Sequence, residues 1–562
     1  MKRIFHFLLI AIAAGMLSCE DYLNTLPGDK YDDATIWQNT NLIDSYVFGI
    51  YKGVPYPFNW YVSASMVDEA VPIQDDGVMT RVLTSTMTPE EQGAFAPNWA
   101  SAMDGWWWSY AWRNIRACNL FFDKIEFANN TIDSYKEQLK GEVHFLRAYF
   151  YYLLLVQYGG VPIIDWVINI GDNYNIPRNS FEETVNFIVS DLDAALADNR
   201  LASQTDKTRA TIGAVLALKS RVLLYAASDL YHSNASWAAG FAHPELIGYV
   251  SGNRNELYQK AKEAAEEVMS LGYSLYESYP DPAENFQQLF LEMSSNEQIF
   301  IAIYDKVNHY WPTDWIAWVY GTPSYGGWAL NQVTGNLANA FENRDGTAFN
   351  FAVQKENPYA NRDPRFYATI LFQGSPWYIN SFGILTPTTI DITTATGADY
   401  NKGRTTGYYI KKFISPAEND YYNGTAQPQP YIQIRYAEVL LNYAEACLGL
   451  GEEANARFAL NMIRKRAGMP ELPAGETGQA LIERYRNERR VELAWENHRF
   501  FDVRRWMIPE QAYVDATGVA FDGSSFTEVV FEHRAWNDSH YLIPINYEEM
   551  QKNIALIQNP GY

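Results

Sequence analysis

The 562-residue sequence predicts a mostly α-helical protein, its helices paired into about four hairpins and interrupted by one large, irregular, aromatic-rich region. Three observations carry that prediction. Apolar residues recur at alternating four- and three-residue steps in eight separate segments, the spacing that lines one face of a helix. Between residues 272 and 430 this rhythm gives way to Gly, Pro, Asn, Thr and aromatic side chains. The 17 Trp, 40 Tyr and 29 Phe make 15% of the chain, more rings than a core ordinarily uses, so some should stand on the surface and bind something.

Composition sets the outer limits. With 48% hydrophobic and 19% charged residues the chain is globular, and its length allows three or four domains or one large helical array. The net charge of −23 repels phosphate backbones and anionic headgroups, which excludes nucleic acid as a partner.

Residues 1–19 read as an address. Lys2 and Arg3 precede an apolar run from Ile4 to Leu17, interrupted only by His6, which suits a signal peptide and is too short to span a bilayer. Met16, Leu17, Ser18 and Cys19 resemble a bacterial lipoprotein box, although Met16 and Leu17 replace the commoner Leu and small residue. That resemblance implies that the Cys19 thiol carries a diacylglycerol anchor after cleavage. Glu20 and Asp21 resemble the surface-export tag of Bacteroidetes lipoproteins, implying an outer-surface location. Later apolar runs stay below spanning length, and Phe145 to Val156, broken by Arg147, reads as a buried helix. Cys118 and Cys447 lie within helical patterns 329 positions apart and are expected to be buried free thiols.

The helical segments follow in order. The spacing predicts helices over Ala102–Phe127, Leu139–Tyr158, Ser180–Asn199, Thr211–Ala227, Asn255–Leu271, Ile432–Leu448, Glu452–Ala467 and Thr477–Phe500. Ser180 and Glu183 form a capping box, and Gly159 with Gly160 marks a helix end. Between Tyr431 and Gly468, Gly449 and Gly451 turn one helix into the next, and alanines at 437, 444, 446, 454, 456 and 459 allow the close approach of a tetratricopeptide-like hairpin. Domain divisions are expected at 20–271 (helical), 272–430 (loop-rich, ligand-binding) and 431–562 (helical).

Several blocks then resemble one family. GEVHFLRAYFYYLLLVQYGGVPIID (Gly141–Asp165) is similar to the signature helix of the SusD/RagB nutrient-uptake lipoproteins. Thr208–Ser228, DPRF (Asp363–Phe366), the Tyr431 hairpin, Glu483–Trp506 and the terminal Tyr541–Tyr562 resemble further family blocks in family order. The resemblance implies four tetratricopeptide-like units and a non-enzymatic glycan-binding lipoprotein of the outer-membrane surface, held by its lipid alone. It also implies delivery of oligosaccharide to a SusC-like TonB-dependent transporter. A peptide-binding, RagB-like role is the second reading.

The His positions lack HExxH spacing, and the GxSxG elbow and phosphate-loop patterns are absent, so no enzyme is expected. A glycoside hydrolase remains the third reading, because paired carboxylates need meet only in space. No cofactor is expected, and a structural Ca²⁺ is left open. Trp106, Trp107 and Trp108 fan round a helix by about 100° per residue, and with Trp112 and Ile115 they read as mainly structural.

The binding candidates cluster in two stretches. Trp311, Trp315, Trp318, Tyr320, Tyr325 and Trp328, with Asn331, crowd a segment broken by Pro312, Gly321, Pro323, Gly326 and Gly327. Breakers push rings toward the surface, where aromatic faces stack on the C–H faces of sugars and polar groups hydrogen-bond the hydroxyls. Asp68 and Glu69 resemble the Asp-Glu loop by which some family members approach ligand, with Arg81, Asn98 and Trp99 following. Arg365 of DPRF is expected to hold structure through a carboxylate.

Overall fold

The computed structural model describes residues 33–55, 58, 60–74, 77–96, 108–197, 200–202, 206–233, 236–304, 315–381, 384–401, 405–415 and 429–562. Cys19, Asn98, Trp99, Trp106, Trp107 and Trp311 lie outside them. Nine helices of twelve or more residues occur among the described residues: α1 (Thr40–Tyr51), α2 (Trp108–Lys124), α3 (Asp133–Tyr158), α4 (Phe181–Leu196), α5 (Ile212–Ala226), α6 (Arg254–Ser270), α7 (Tyr436–Gly449), α8 (Glu453–Arg466) and α9 (Gln479–Glu492). The fold is mostly α, as predicted.

Local chemistry accounts for the ends of several helices. Ser180 accepts from the Glu183 backbone while the Glu183 carboxylate accepts from the Ser180 backbone, the reciprocal cap expected at α4. α3 stops at Gly159, whose φ of +79° favours glycine, and a Cβ on Gly160 would lie 2.2 Å from the Asn179 carbonyl oxygen. α1 escaped the sequence reading, yet Asn39 caps it through backbone N–H groups and Ile43, Val47 and Ile50 repeat the 4-3 spacing of its buried face.

Packing runs through the chain in order: α2 on α3, α3 on α4, α4 on α5, α5 on α6, then α6 on α7 and α7 on α8. Aliphatic and aromatic faces of this array form the larger hydrophobic core, including Leu146, Phe150, Leu218, Leu440 and Leu460. Cys118 and Cys447 are buried free thiols.

Two predicted helices are corrected. Ile432–Arg435 belongs to strand β4 (Gln429–Arg435), which pairs antiparallel with β2 (Gln298–Tyr304), and α7 begins only at Tyr436. The helix expected over Thr477–Phe500 ends at Glu492 and resumes over Arg499–Arg505. Cations take the carbonyls that would continue it: Arg435 donates to Glu492 O at 2.8 Å, and Lys412 donates to Ala494 O at 2.9 Å. Trp495 and Asn497 consequently adopt φ of 63° and 66°.

A second core draws on the loop-rich region and on segments either side of it. Phe58, Phe286, Phe290, Tyr320, Phe366, Trp377, Tyr409 and Trp495 pack into a second apolar cluster. The described strands occur as small antiparallel pairs, among them β1 (Ala70–Pro72) with β3 (Asn331–Val333), in the register Ala70↔Val333 and Pro72↔Asn331.

Candidate functional site

β1–β3 pairing joins the two stretches from which the sequence drew its ligand contacts. Leu330 O accepts from Ile73 N at 2.8 Å, and Glu69 O accepts from Thr334 N at 3.1 Å, so residues 60–73 run beside residues 328–334. Residues Trp315–Tyr320 form one short helix, and the chain after Gly321 folds back on it. The Trp328 N–H donates to Trp318 O at 2.8 Å and the Leu330 N–H to Val319 O at 2.8 Å. Glycine permits this return: Gly326 has φ of +87°, and a Cβ on Gly327 would meet the Gly321 carbonyl oxygen at 2.2 Å.

The consequence is an aromatic surface. Trp318 and Trp328 have ring centroids 4.4 Å apart at 44°, and Trp60 meets Trp328 edge-on at 5.7 Å. Trp328 is 37% exposed, while Trp60 and Trp318 are half-buried against the second core. Trp60 was missed by the sequence reading because its role depends on a partner 268 positions away.

The other candidates divide clearly. Asn331 is buried and acts behind the rings, donating from Nδ2 to Trp60 O at 2.9 Å and accepting from Ser65 Oγ at 2.7 Å. Tyr320 is fully buried, its ring 5.9 Å from Phe58 and 6.1 Å from Trp495. Both support the surface from below, which corrects the expectation that they meet ligand. Arg81 is spent on an ion pair with Glu91. Of Trp315 and Tyr325, only the backbone belongs to the described structure.

Asp68 and Glu69 also require correction, since both are buried. Asp68 accepts from Arg499 Nε and Nη2 at 3.0 Å and pairs with Arg490 Nη2 at 2.7 Å. Burial alone would raise its pKa, but Arg490 and Arg499 outweigh that and hold it below the usual Asp range. Among the described residues no cation forms an ion pair with Glu69; its carboxylate faces the Trp495 N–H at 3.4 Å. Burial, with the neighbouring Asp68 charge, pushes its pKa up to about 8. Among the described residues no group of three or more His, Cys, Asp or Glu is arranged to hold a metal ion.

Arg365 sits where the DPRF reading put it, in structure. It pairs with Asp363 at 2.7 Å, Glu488 at 2.6 Å and Glu492 at 2.9 Å, and it is fully buried.

Comparison with known proteins now decides the family. A family profile described as "SusD family" matches residues 296–562, and one described as "Starch-binding associating with outer membrane" matches residues 21–224. A crystal structure of a SusD-like protein from Bacteroides fragilis superposes with a TM-score of 0.78 at 30% identity, covering 96% of this chain and 100% of that one. This protein belongs to the SusD/RagB family. A curated relative of this SusD-family chain, SusD-like protein P38 of Formosa agariphila, is 24% identical over 90% of this chain and 91% of its own length. The fold is shared with a structure described as a laminarin-binding SusD-like protein, with a TM-score of 0.64 at 19% identity, covering 93% of this chain and 100% of that one. Family membership places the SusD-family protein among carbohydrate-binding proteins rather than enzymes. No helix among the described residues is long and apolar enough to cross a membrane.

Proposed function

We propose that this SusD-family protein is a surface-exposed lipoprotein of the outer membrane, anchored through Cys19, that captures oligosaccharide and hands it to a SusC-like TonB-dependent transporter. The observation that carries this reading is the exposed Trp328 ring packed on Trp318 and Trp60. Rings so fixed lose little entropy on binding and offer a flat face to sugar C–H groups. Trp315, Tyr325, Trp311, Asn98 and Trp99 are proposed as further ligand contacts. A similar fold in a laminarin-binding protein supports the ligand class.

Capture and transfer need separate tests. Retardation of the purified protein in native gels containing a panel of polysaccharides should identify a ligand whose effect is lost in Trp328→Ala. Pull-down from mild-detergent extracts of the native membrane should recover a large TonB-dependent barrel. Binding without barrel recovery would remove the delivery step; failure of every glycan would remove the capture step. Fatty-acid labelling that is equal in wild type and Cys19→Ala would remove the anchor.

A further inference from the structure

A second concavity lies elsewhere, between α2, the segment after α3 and the C-terminal tail. It encloses about 600 Å³, within the range of small-molecule sites. Trp108, Trp112, Ile115, Ile164, Ile168 and Leu556 supply an apolar wall.

The walls are held apart by directed polar contacts. Asn119, itself buried, donates from Nδ2 to Ile164 O at 2.8 Å and to Trp166 O at 3.1 Å, and its Oδ1 accepts from Arg147 Nη1 at 2.9 Å. Arg147 is in turn anchored on Asp191 at 2.7 Å. On the opposite side Asn553 donates to Ile176 O at 2.8 Å, and the Ile554 N–H donates to Asn175 Oδ1 at 3.1 Å. Trp112 is wedged edge-on between Trp108 at 5.5 Å and Tyr151 at 5.8 Å. These clamps preform the cavity, so filling it requires little reorganisation.

Two features of the lining say what would fill it. Trp166 and Tyr174 stand 48% and 50% exposed, an unusual outlay of large rings on a surface. Arg116, also lining the cavity, makes no ion pair or hydrogen bond with the described residues, whereas Lys552 is paired with Glu549 at 2.7 Å. An apolar body against the indoles, with an anionic group at Arg116, matches both features. We infer that this cavity is a second binding site, separate from the Trp60–Trp318–Trp328 surface, for an organic anion with a flat apolar body.

The probe is 8-anilinonaphthalene-1-sulfonate, which has that chemistry, titrated by fluorescence into the full-length folded protein. Wild type should show one saturable site per chain. Trp166→Ala, which removes an exposed ring, should weaken it about 5- to 150-fold, by analogy with aromatic stacking platforms. Arg116→Gln should weaken it about threefold, and the neutral N-phenyl-1-naphthylamine should bind less tightly than the anion. Trp328→Ala should leave the titration unchanged, which separates this site from the proposed glycan surface. Melting curves confirm folding, and Arg116 is exposed enough that its variant is expected to fold regardless. The inference is overturned by any of four outcomes: no saturable site, wild-type affinity in both cavity variants, equal binding of the neutral dye, or loss of the signal in Trp328→Ala.

Discussion

The helical array and the loop-rich region are stabilised in different ways. Between α2 and α8 the helices meet largely through aliphatic and aromatic faces, with Leu146, Leu218 and Leu440 fully buried, and the buried pairs Arg147–Asp191 and Arg221–Glu438 each join one guanidinium to one carboxylate. Where the loop-rich region meets α7, α8 and α9, the buried seam is ionic. Arg365, Lys412, Arg435, Arg464 and Arg466 face Asp363, Glu297, Glu342, Glu488, Glu492 and Glu496, five cations against six carboxylates. Aromatic faces flank it, with Lys412 Nζ 4.4 Å from the Phe290 ring centre and the Arg466 guanidinium 5.2 Å from Phe286. An apolar interface tolerates many relative positions, whereas bidentate and shared ion pairs fix one. The described elements of the irregular region are short, and the seam supplies the register that long elements would otherwise set.

The largest effect should come from breaking the seam. Arg435 serves Glu297 at 2.8 Å, Glu492 at 2.6 Å and Glu496 at 2.7 Å, so Arg435→Ala leaves three buried carboxylates short of a partner and should cost about 3–5 kcal/mol in urea unfolding. Leu146→Ala in the array should cost about 2–5 kcal/mol through cavity formation. The two are told apart by acid. Arg466, Arg435 and Arg365 overcome the penalty of burying Glu492 and depress its pKa, and Arg365 and Arg464 do the same for Glu488. Depressed carboxylates contribute fully above the ordinary Glu value, and that contribution falls away as pH drops through their folded-state values. Wild type and Leu146→Ala should therefore lose stability in parallel below about pH 4.5, while Arg435→Ala, having already lost part of this term, should show a shallower decline. Parallel decline in all three would show that the seam does not carry the acid response.

Glu69 sharpens the comparison because its sign is opposite. Its folded pKa of about 8 exceeds the unfolded value, so its contribution is complete below about pH 4.5 and is lost as pH rises toward 8. Glu69→Gln should gain on wild type steadily from pH 5 to 8, by up to a few kcal/mol, in melting curves taken at each pH. A pH-independent difference would place the Glu69 pKa near its ordinary value.

Around the second apolar cluster, exposed and buried rings should separate. Trp328→Ala should weaken glycan binding by about 1–3 kcal/mol and leave melting close to wild type. Trp495→Ala, buried beside Tyr320, should lower stability by about 3–5 kcal/mol. Calorimetric titration with a bound glycan, run beside thermal melts, distinguishes them; if Trp328→Ala melts early and binds normally, the proposed platform is wrong. The smallest effect is local to the array: Ser180→Ala removes the α4 cap and should cost about 1 kcal/mol by denaturant unfolding.

The array was legible because a helix announces itself within a few turns. Periodicity located α3 to α6, and the Ser180–Glu183 cap and the Gly159 stop were readable from neighbours in the chain. α1 carried the same signal and was simply overlooked. The site was harder. Clustered Trp and Gly pointed to residues 311–328, but Asp68 and Glu69, which as sequence look like solvated acids, are buried under Arg490, Arg499 and Trp495.

What the sequence determined by itself, therefore, is what depends on short-range order: the helical class, the caps and breaks, and the family blocks. Tertiary structure alone decided which aromatic rings reach the surface and which acids are neutralised. Trp60 and Trp328 meet only because β1 pairs with β3 across more than 250 residues. Where the helix after Gln479 breaks, Arg435 and Lys412 arrive from other elements and take its carbonyls. Exposure and ion pairing are properties of neighbours in space, and a linear spacing rule holds no information about neighbours so distant in the chain.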